Sequence, residues 1–196
     1  MKKKNLETTA EKPQNPIFRR LIAFLIDWYF SSLFAMLPVV VFQSINNKDL
    51  VLLNRIDTLT RPQAVISTLI ALGIYTLYFC VIPLSLKDSR RVGQTLGRWI
   101  FHITLVNVDG SPLAFSHLFL RDFVGILLLQ GNLTSVYIYL MSLVEIFSGS
   151  VAFVPYVQLF YYLVIAASLI MLFTRKRQTV HDFISGTRMI AVKIED

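Results

Sequence analysis

The chain has 196 residues, of which 55% are apolar and 16% charged, with a net charge of +7 and one cysteine. That balance excludes a soluble domain with a charged coat, for which charged residues run at about 25%. It also argues against nucleic-acid binding, because the basic residues sit at the edges of apolar blocks rather than on a polar surface.

Residues 1–16, opening Met1-Lys2-Lys3-Lys4, form a polar stretch expected to be a flexible basic tail. The apolar run that follows, about residues 21–42, is too long for a signal-peptide core of about 7–15 residues and contains Asp27. It is therefore expected to stay as a membrane-spanning helix, for which about 20 apolar residues suffice. A second span is expected at about 64–86. It holds Cys80, read as a small buried hydrophobe, which leaves no intrachain disulfide and no multi-cysteine metal site.

Beyond Arg121-Asp122 the chain is apolar almost to Phe173, too long for one helix. Ser148-Gly149-Ser150 divides it into spans at about 123–147 and 151–173, with Gln130-Gly131-Asn132 as a point where the third span could fail to cross. The positive-inside rule favours four spans with both termini cytoplasmic, since only Lys48, Arg55 and Arg61 of the 19 basic residues then fall outside. Three spans would strand Arg175-Lys176-Arg177 on the wrong side.

Between the second and third spans, residues 93–99 suit a short amphipathic helix. Ile103, Leu105 and Val108 then lie in a β-branched run closed by the turn signal Asp109-Gly110. The arrangement recurs after the fourth span. Setting Gln94-Thr95 over Gln178-Thr179 places Trp99-Ile100 on Phe183-Ile184 and Leu105-Val106 on Met189-Ile190. Such a repeat would be parallel, with a two-fold axis along the membrane normal and the two tails paired as a small sheet; chance similarity in an apolar sequence of low diversity is the alternative. The expected fold is thus an all-α membrane domain over residues 17–192. It comprises a four-helix bundle of two hairpins, short cytoplasmic amphipathic helices, a small β element and a tail at 193–196.

Asp27 is the residue in the most expensive place. A carboxylate inside a membrane helix costs roughly 2.5–3.5 kcal/mol on insertion scales, so it should face a cavity or a partner. It lies roughly 9 Å into the first span at about 1.5 Å per residue. Arg20 is on nearly the same face, but helical side chains lean toward the N-terminus, so it is expected to snorkel away toward the phosphates. Arg98, Arg121 and His181 are then the candidate ion-pair partners. Gln130 and Asn132 at similar depth would complete an ion-binding set with Asp27, suited to a proton or hard monovalent cation; the competing reading is interhelical hydrogen bonding alone. His102, His117 and His181 lack the spacing of a metal site, and no catalytic or cofactor-binding motif is present. Neither enzyme activity nor a cofactor is expected.

Phe18-Arg19-Arg20-Leu21-Ile22-Ala23-Phe24-Leu25-Ile26-Asp27 resembles the opening motif of the RDD family. Gly93-Gln94-Thr95-Leu96-Gly97-Arg98 and Arg177-Gln178-Thr179-Val180-His181-Asp182 resemble its later motifs. The resemblance covers about residues 17–192 and makes Arg20, Asp27 and Asp182 the motif residues; the long third and fourth spans depart from the family's common three-span pattern. It implies a bacterial-type inner membrane. It also implies either monovalent-cation/proton antiport through Asp27 or an accessory role in assembling or regulating a membrane complex. The partners expected are anionic lipid at the cytoplasmic face and a second copy or another membrane protein.

Overall fold

The computed structural model describes residues 17–46, 55–86, 92–174 and 176–192; the expected terminal tails lie outside them. Its elements in chain order are α1 (Ile17–Asn46), α2 (Arg61–Thr76), a π-helical turn (Leu77–Val81), α3 (Ile82–Ser85), α4 (Leu96–Ile100) and β1 (Ile103–Asn107). Then come α5 (Phe115–Leu118), a π-helix (Phe119–Leu128), a 3-10 turn (Gly131–Leu133), α6 (Val136–Ser148), α7 (Val154–Leu172), α8 (Val180–Ile184) and β2 (Thr187–Ala191). Among the described residues, three helical stretches are long and apolar enough to cross a membrane: Ile17–Asn46, Arg61–Ser85 and Val154–Leu172.

The first two pack side by side. α2 begins where Thr60 precedes Arg61-Pro62, a proline in the first turn where its missing N–H costs nothing. Gln63 reaches back to accept from the Thr60 N–H at 3.1 Å. Its continuation widens into the π-turn just before Pro83. A proline has no N–H to donate and its ring crowds the carbonyl four residues back, and a wider turn accommodates both.

The third apolar stretch, expected as one span over 123–147, is not a continuous helix. The π-helix ends at Leu128, the chain turns through Gln130–Ser135, and α6 resumes at Val136. The break keeps its backbone satisfied locally: Gln130 N–H donates to Ile126 at 3.1 Å, Leu133 to Gln130 at 2.8 Å and Thr134 to Gly131 at 2.8 Å. Gln130 and Gly131 are buried in protein. That is the setting in which irregular backbone is tolerated at membrane depth.

The two tails expected of the internal repeat do pair as a small sheet. β1 and β2 pair antiparallel with Leu105 opposite Met189, and the register runs symmetrically outward to Ile103↔Ala191 and Asn107↔Thr187. Leu105 and Met189 are also equivalent in the alignment of Gln94 with Gln178. A local two-fold axis through that central pair, perpendicular to the strands, therefore relates the two strands. Equivalent hydrogen bonds agree. Gln94 Nε2 donates to the Ile103 carbonyl at 3.0 Å, as Gln178 Nε2 does to Thr187 at 2.9 Å. Val108 N–H donates to Gly186 at 2.9 Å and Val192 N–H to His102 at 2.8 Å. Even the left-handed backbone positions correspond: Gly93 (φ 83°) with Arg177 (φ 49°), and His102 (φ 52°) with Gly186 (φ 65°). In each pair one half uses glycine and the other tolerates a side chain in a region that side chains rarely adopt.

Thr95 and Thr179, both in extended backbone, precede the equivalent short helices α4 and α8. α4 packs on α1 and α8 on the π-helix, so each short helix lies against the opening segment of its own half.

Candidate functional site

The packing of α4 and α8 brings six charged side chains into the interior. They form a sequence of alternating charge, Arg20–Asp182–Arg121–Asp122–Arg98, with Asp27 beside its end. Arg20 Nη2 pairs with Asp182 Oδ2. Arg121 Nε donates to Asp182 Oδ1 at 3.1 Å, and its Nη1 pairs with Asp122 Oδ1. Arg98 Nη2 reaches the same Asp122 oxygen at 3.1 Å. The sharing of both carboxylates makes this one network rather than separate pairs, and the members have at most 8% of their surface exposed.

Asp27 is held differently. Its Oδ1 accepts from the Tyr78 hydroxyl at 2.6 Å and from the Gly97 N–H at 2.8 Å, and its Oδ2 accepts from the Thr95 hydroxyl. Gly97 and Thr95 belong to the start of α4, so a carboxylate on α1 does there what an N-cap does from within a helix. At α8 the cap is local: the Thr179 hydroxyl accepts from the Asp182 N–H at 3.4 Å and Asp182 accepts back from the Thr179 N–H at 3.2 Å. The two aspartates thus anchor the two equivalent short helices by different routes.

One expectation is corrected and two are narrowed. Arg20 does not snorkel away; Asp182 arrives from the C-terminal half and draws it inward, where its Nη1 also donates to the Arg177 carbonyl at 3.2 Å. Arg98, Arg121 and His181 are near Asp27 in depth but, among the described residues, none forms an ion pair with it. Among the described residues the bonds to Asp27 come from Tyr78, Thr95 and Gly97 and not from Gln130 or Asn132. Gln130 donates to Ser168 Oγ and faces His181 Nδ1 through its Oε1 at 3.3 Å, while Asn132 is half-buried in the 3-10 turn.

Asp27, Gln130 and His181 do line one cavity of about 310 Å³, together with Arg20, Arg98 and Arg121. Burial pushes the His181 pKa down to about 3 despite the opposing pull of Asp182, so the imidazole there is neutral near pH 7. Burial acts to raise the pKa of Asp182, but Arg121, His181 and Arg20 outweigh it and hold the carboxyl well below the usual carboxylate range.

Asp122, Tyr78, Gly97 and Ser168 were not legible as site residues. Asp122 had only its place beside Arg121 to mark it, and that pair reads equally well as the polar edge of a span. Tyr78 is one of eight tyrosines and Gly97 carries no side chain; only the fold places them on Asp27.

No curated protein and no solved structure matches the chain at a significant level. The model of the RDD family matches residues 15–186, nearly the whole length and all three charged motifs. The chain belongs to the RDD family.

Proposed function

We propose that the protein is a non-enzymatic accessory subunit of the cell membrane, whose charged motifs assemble its own fold and whose membrane-facing helices join a partner or a second copy. The observation that carries this reading is that three protein donors occupy most of the acceptor sites of Asp27, about four in a carboxylate. Both of its oxygens are engaged by protein donors, whereas a carboxylate that binds a metal cation must direct lone pairs at the ion. A second reading, monovalent-cation/proton exchange through Asp27, is favoured by the cavity that Asp27 shares with Gln130 and His181.

Asp27 variants separate the two. The side-chain amide introduced by Asp27→Asn would keep an oxygen for Tyr78 and Gly97 and present its NH₂ to the Thr95 hydroxyl, so this variant is expected to unfold within about 1 kcal/mol of wild type, the scale of one hydrogen bond. Asp27→Ala strands three donors, each worth about 1–3 kcal/mol when left buried and unpaired. Proteoliposomes of wild type are expected to show no proton flux in response to a sodium or potassium gradient. A cation-dependent flux that disappears in a stably folded Asp27→Asn protein would establish exchange instead.

Four crossings, with both termini cytoplasmic, belong to the same proposal. Arg20 at the start of α1 and Arg121 at the start of the third stretch both meet Asp182, just beyond α7. The sheet joins the segments that follow α3 and α7. The third stretch therefore starts on the side where α7 ends, and α7, being of spanning length, starts on the other. On this reading the chain between them crosses as two half-helices around Gln130–Ser135. Single cysteines in a Cys80→Ala background test this. Leu50→Cys and Ser150→Cys should react with an impermeant maleimide from outside the cell, and Lys3→Cys and Ile194→Cys only after permeabilisation. Lys3→Cys and Ile194→Cys reacting from opposite sides would reject an even number of crossings.

A further inference from the structure

We propose that the cavity binds one phospholipid with an anionic headgroup, its acyl chain held between α1 and α7 and its phosphate at the basic rim. The inference goes beyond the accessory role and does not depend on it.

The walls come from two helices that do not pack along each other. Ile17, Leu21 and Phe24 on α1 face Ile165, Leu169 and Leu172 on α7 across the cavity, and the floor is the charged network. Leu21 and Leu169 are 56% and 55% exposed on helices of membrane-spanning length, so the mouth opens to hydrocarbon rather than to water. An occupant must arrive from the bilayer. A volume of about 310 Å³ is at the small end of ligand pockets, about 300–1,000 Å³. It takes part of one chain and leaves the headgroup at the edge.

Charge selects the headgroup. The three arginines that line the floor, Arg20, Arg98 and Arg121, are already paired behind it with Asp182 and Asp122, and Asp27 lies beside them, so the floor exerts little net pull. The rim is not balanced. Arg19, next to the lining residue Arg20, and Lys176, between the lining residues Phe173 and Thr179 in the chain, are both exposed, and the bond from Arg20 to the Arg177 carbonyl ties their two segments together. No acidic residue occurs in 17–26 or 165–181. A phosphate at that edge meets cations from both helices' ends without displacing any ion pair beneath.

Native mass spectrometry of the purified protein, titrated with phosphatidylglycerol or phosphatidylcholine of the same chains, tests the proposal. One retained lipid is expected, with phosphatidylglycerol favoured about thirty-fold, the scale of two basic residues at about 1 kcal/mol each near an anionic headgroup. Arg19→Ala with Lys176→Ala should bring the two lipids level. Leu169→Trp, which adds bulk at the mouth from an exposed position, should reduce retention of both while thermal stability stays that of wild type. Equal retention of both lipids by wild type, or a preference that persists in the double variant, would overturn it. Inorganic phosphate displacing phosphatidylglycerol as well as a soluble short-chain analogue does would assign the rim to a free anion and reject the acyl-chain site.

Discussion

Asp182→Ala is expected to lower the unfolding free energy by about 3–5 kcal/mol, the cost of removing one partner from a buried ion pair. The reason is position more than charge count. Asp182 is fully buried and takes Arg20 on one oxygen and Arg121 on the other. Removing it leaves two guanidinium groups facing each other, with only Asp122 remaining to balance Arg121. The Thr179 N–H at the start of α8 also loses its acceptor. Because the folded carboxyl titrates below its ordinary value of 3.8, its contribution is complete above about pH 4 and is lost only as pH falls through the folded pKa. The penalty in the variant should therefore be the same at pH 8 and pH 5 and should shrink only below pH 4. Reversible unfolding in mixed micelles across that range measures it. A penalty that already declines between pH 8 and pH 6 would mean that another group carries the lock.

That lock explains which parts of the fold could be read from the sequence. The repeat was legible because its signal is local: two Gln-Thr dipeptides, each followed by aromatic-aliphatic residues and a β-branched tail, can be aligned by inspection. Their pairing followed, since two short strands beside equivalent hairpins have few other partners. The ion network was not legible, because its order depends on which half reaches which. Arg20 illustrates the failure. Side-chain direction in an isolated helix sends it toward the phosphates, and that argument had no access to a carboxylate arriving from a residue 162 positions later. The tertiary contact overrides the local preference.

The third stretch failed for a related reason. Hydropathy registers apolar length, not continuity, and Phe123–Phe147 has the length of a span. The polar cluster Gln130-Gly131-Asn132 marked the place of the break, but whether a break can persist there depends on what buries it. Ser168 of α7 and His181 of α8 take up the Gln130 side chain, and the turn satisfies its own backbone. The same side chain that suggested an ion ligand is therefore engaged in supporting an interrupted helix. Asp27 follows the same pattern: composition identifies it as costly, and only the fold reveals that α4 and Tyr78 meet the cost with a backbone N–H and two hydroxyls.

The closest backbone approach among the glycines gives the last test. Gly97→Ala is expected to destabilise by about 1–3 kcal/mol or more, the usual range for overpacking a filled site, and to release Asp27 from α4. A Cβ on residue 97 would stand 2.2 Å from the Ala23 carbonyl oxygen and 3.0 Å from Asp27 Cγ. The first obstacle is backbone, so no rotamer change relieves it and Ala23→Gly should not rescue the variant. α4 has to move away from α1, and that movement stretches the Gly97 N–H bond to Asp27 along with the Thr95 bond. Gly73→Ala on α2 is the control, since a Cβ there meets nothing within 4 Å. Alanine also exceeds glycine in helix propensity by about 0.8–1 kcal/mol, so this second variant should be as stable as wild type or slightly more so. Opposite signs for the same substitution at the two glycines, read from unfolding in mixed micelles, would locate the constraint in the α1–α4 contact. Equal effects would show that α4 can retreat without loss, and the Asp27 cap would then contribute little to holding the two elements together.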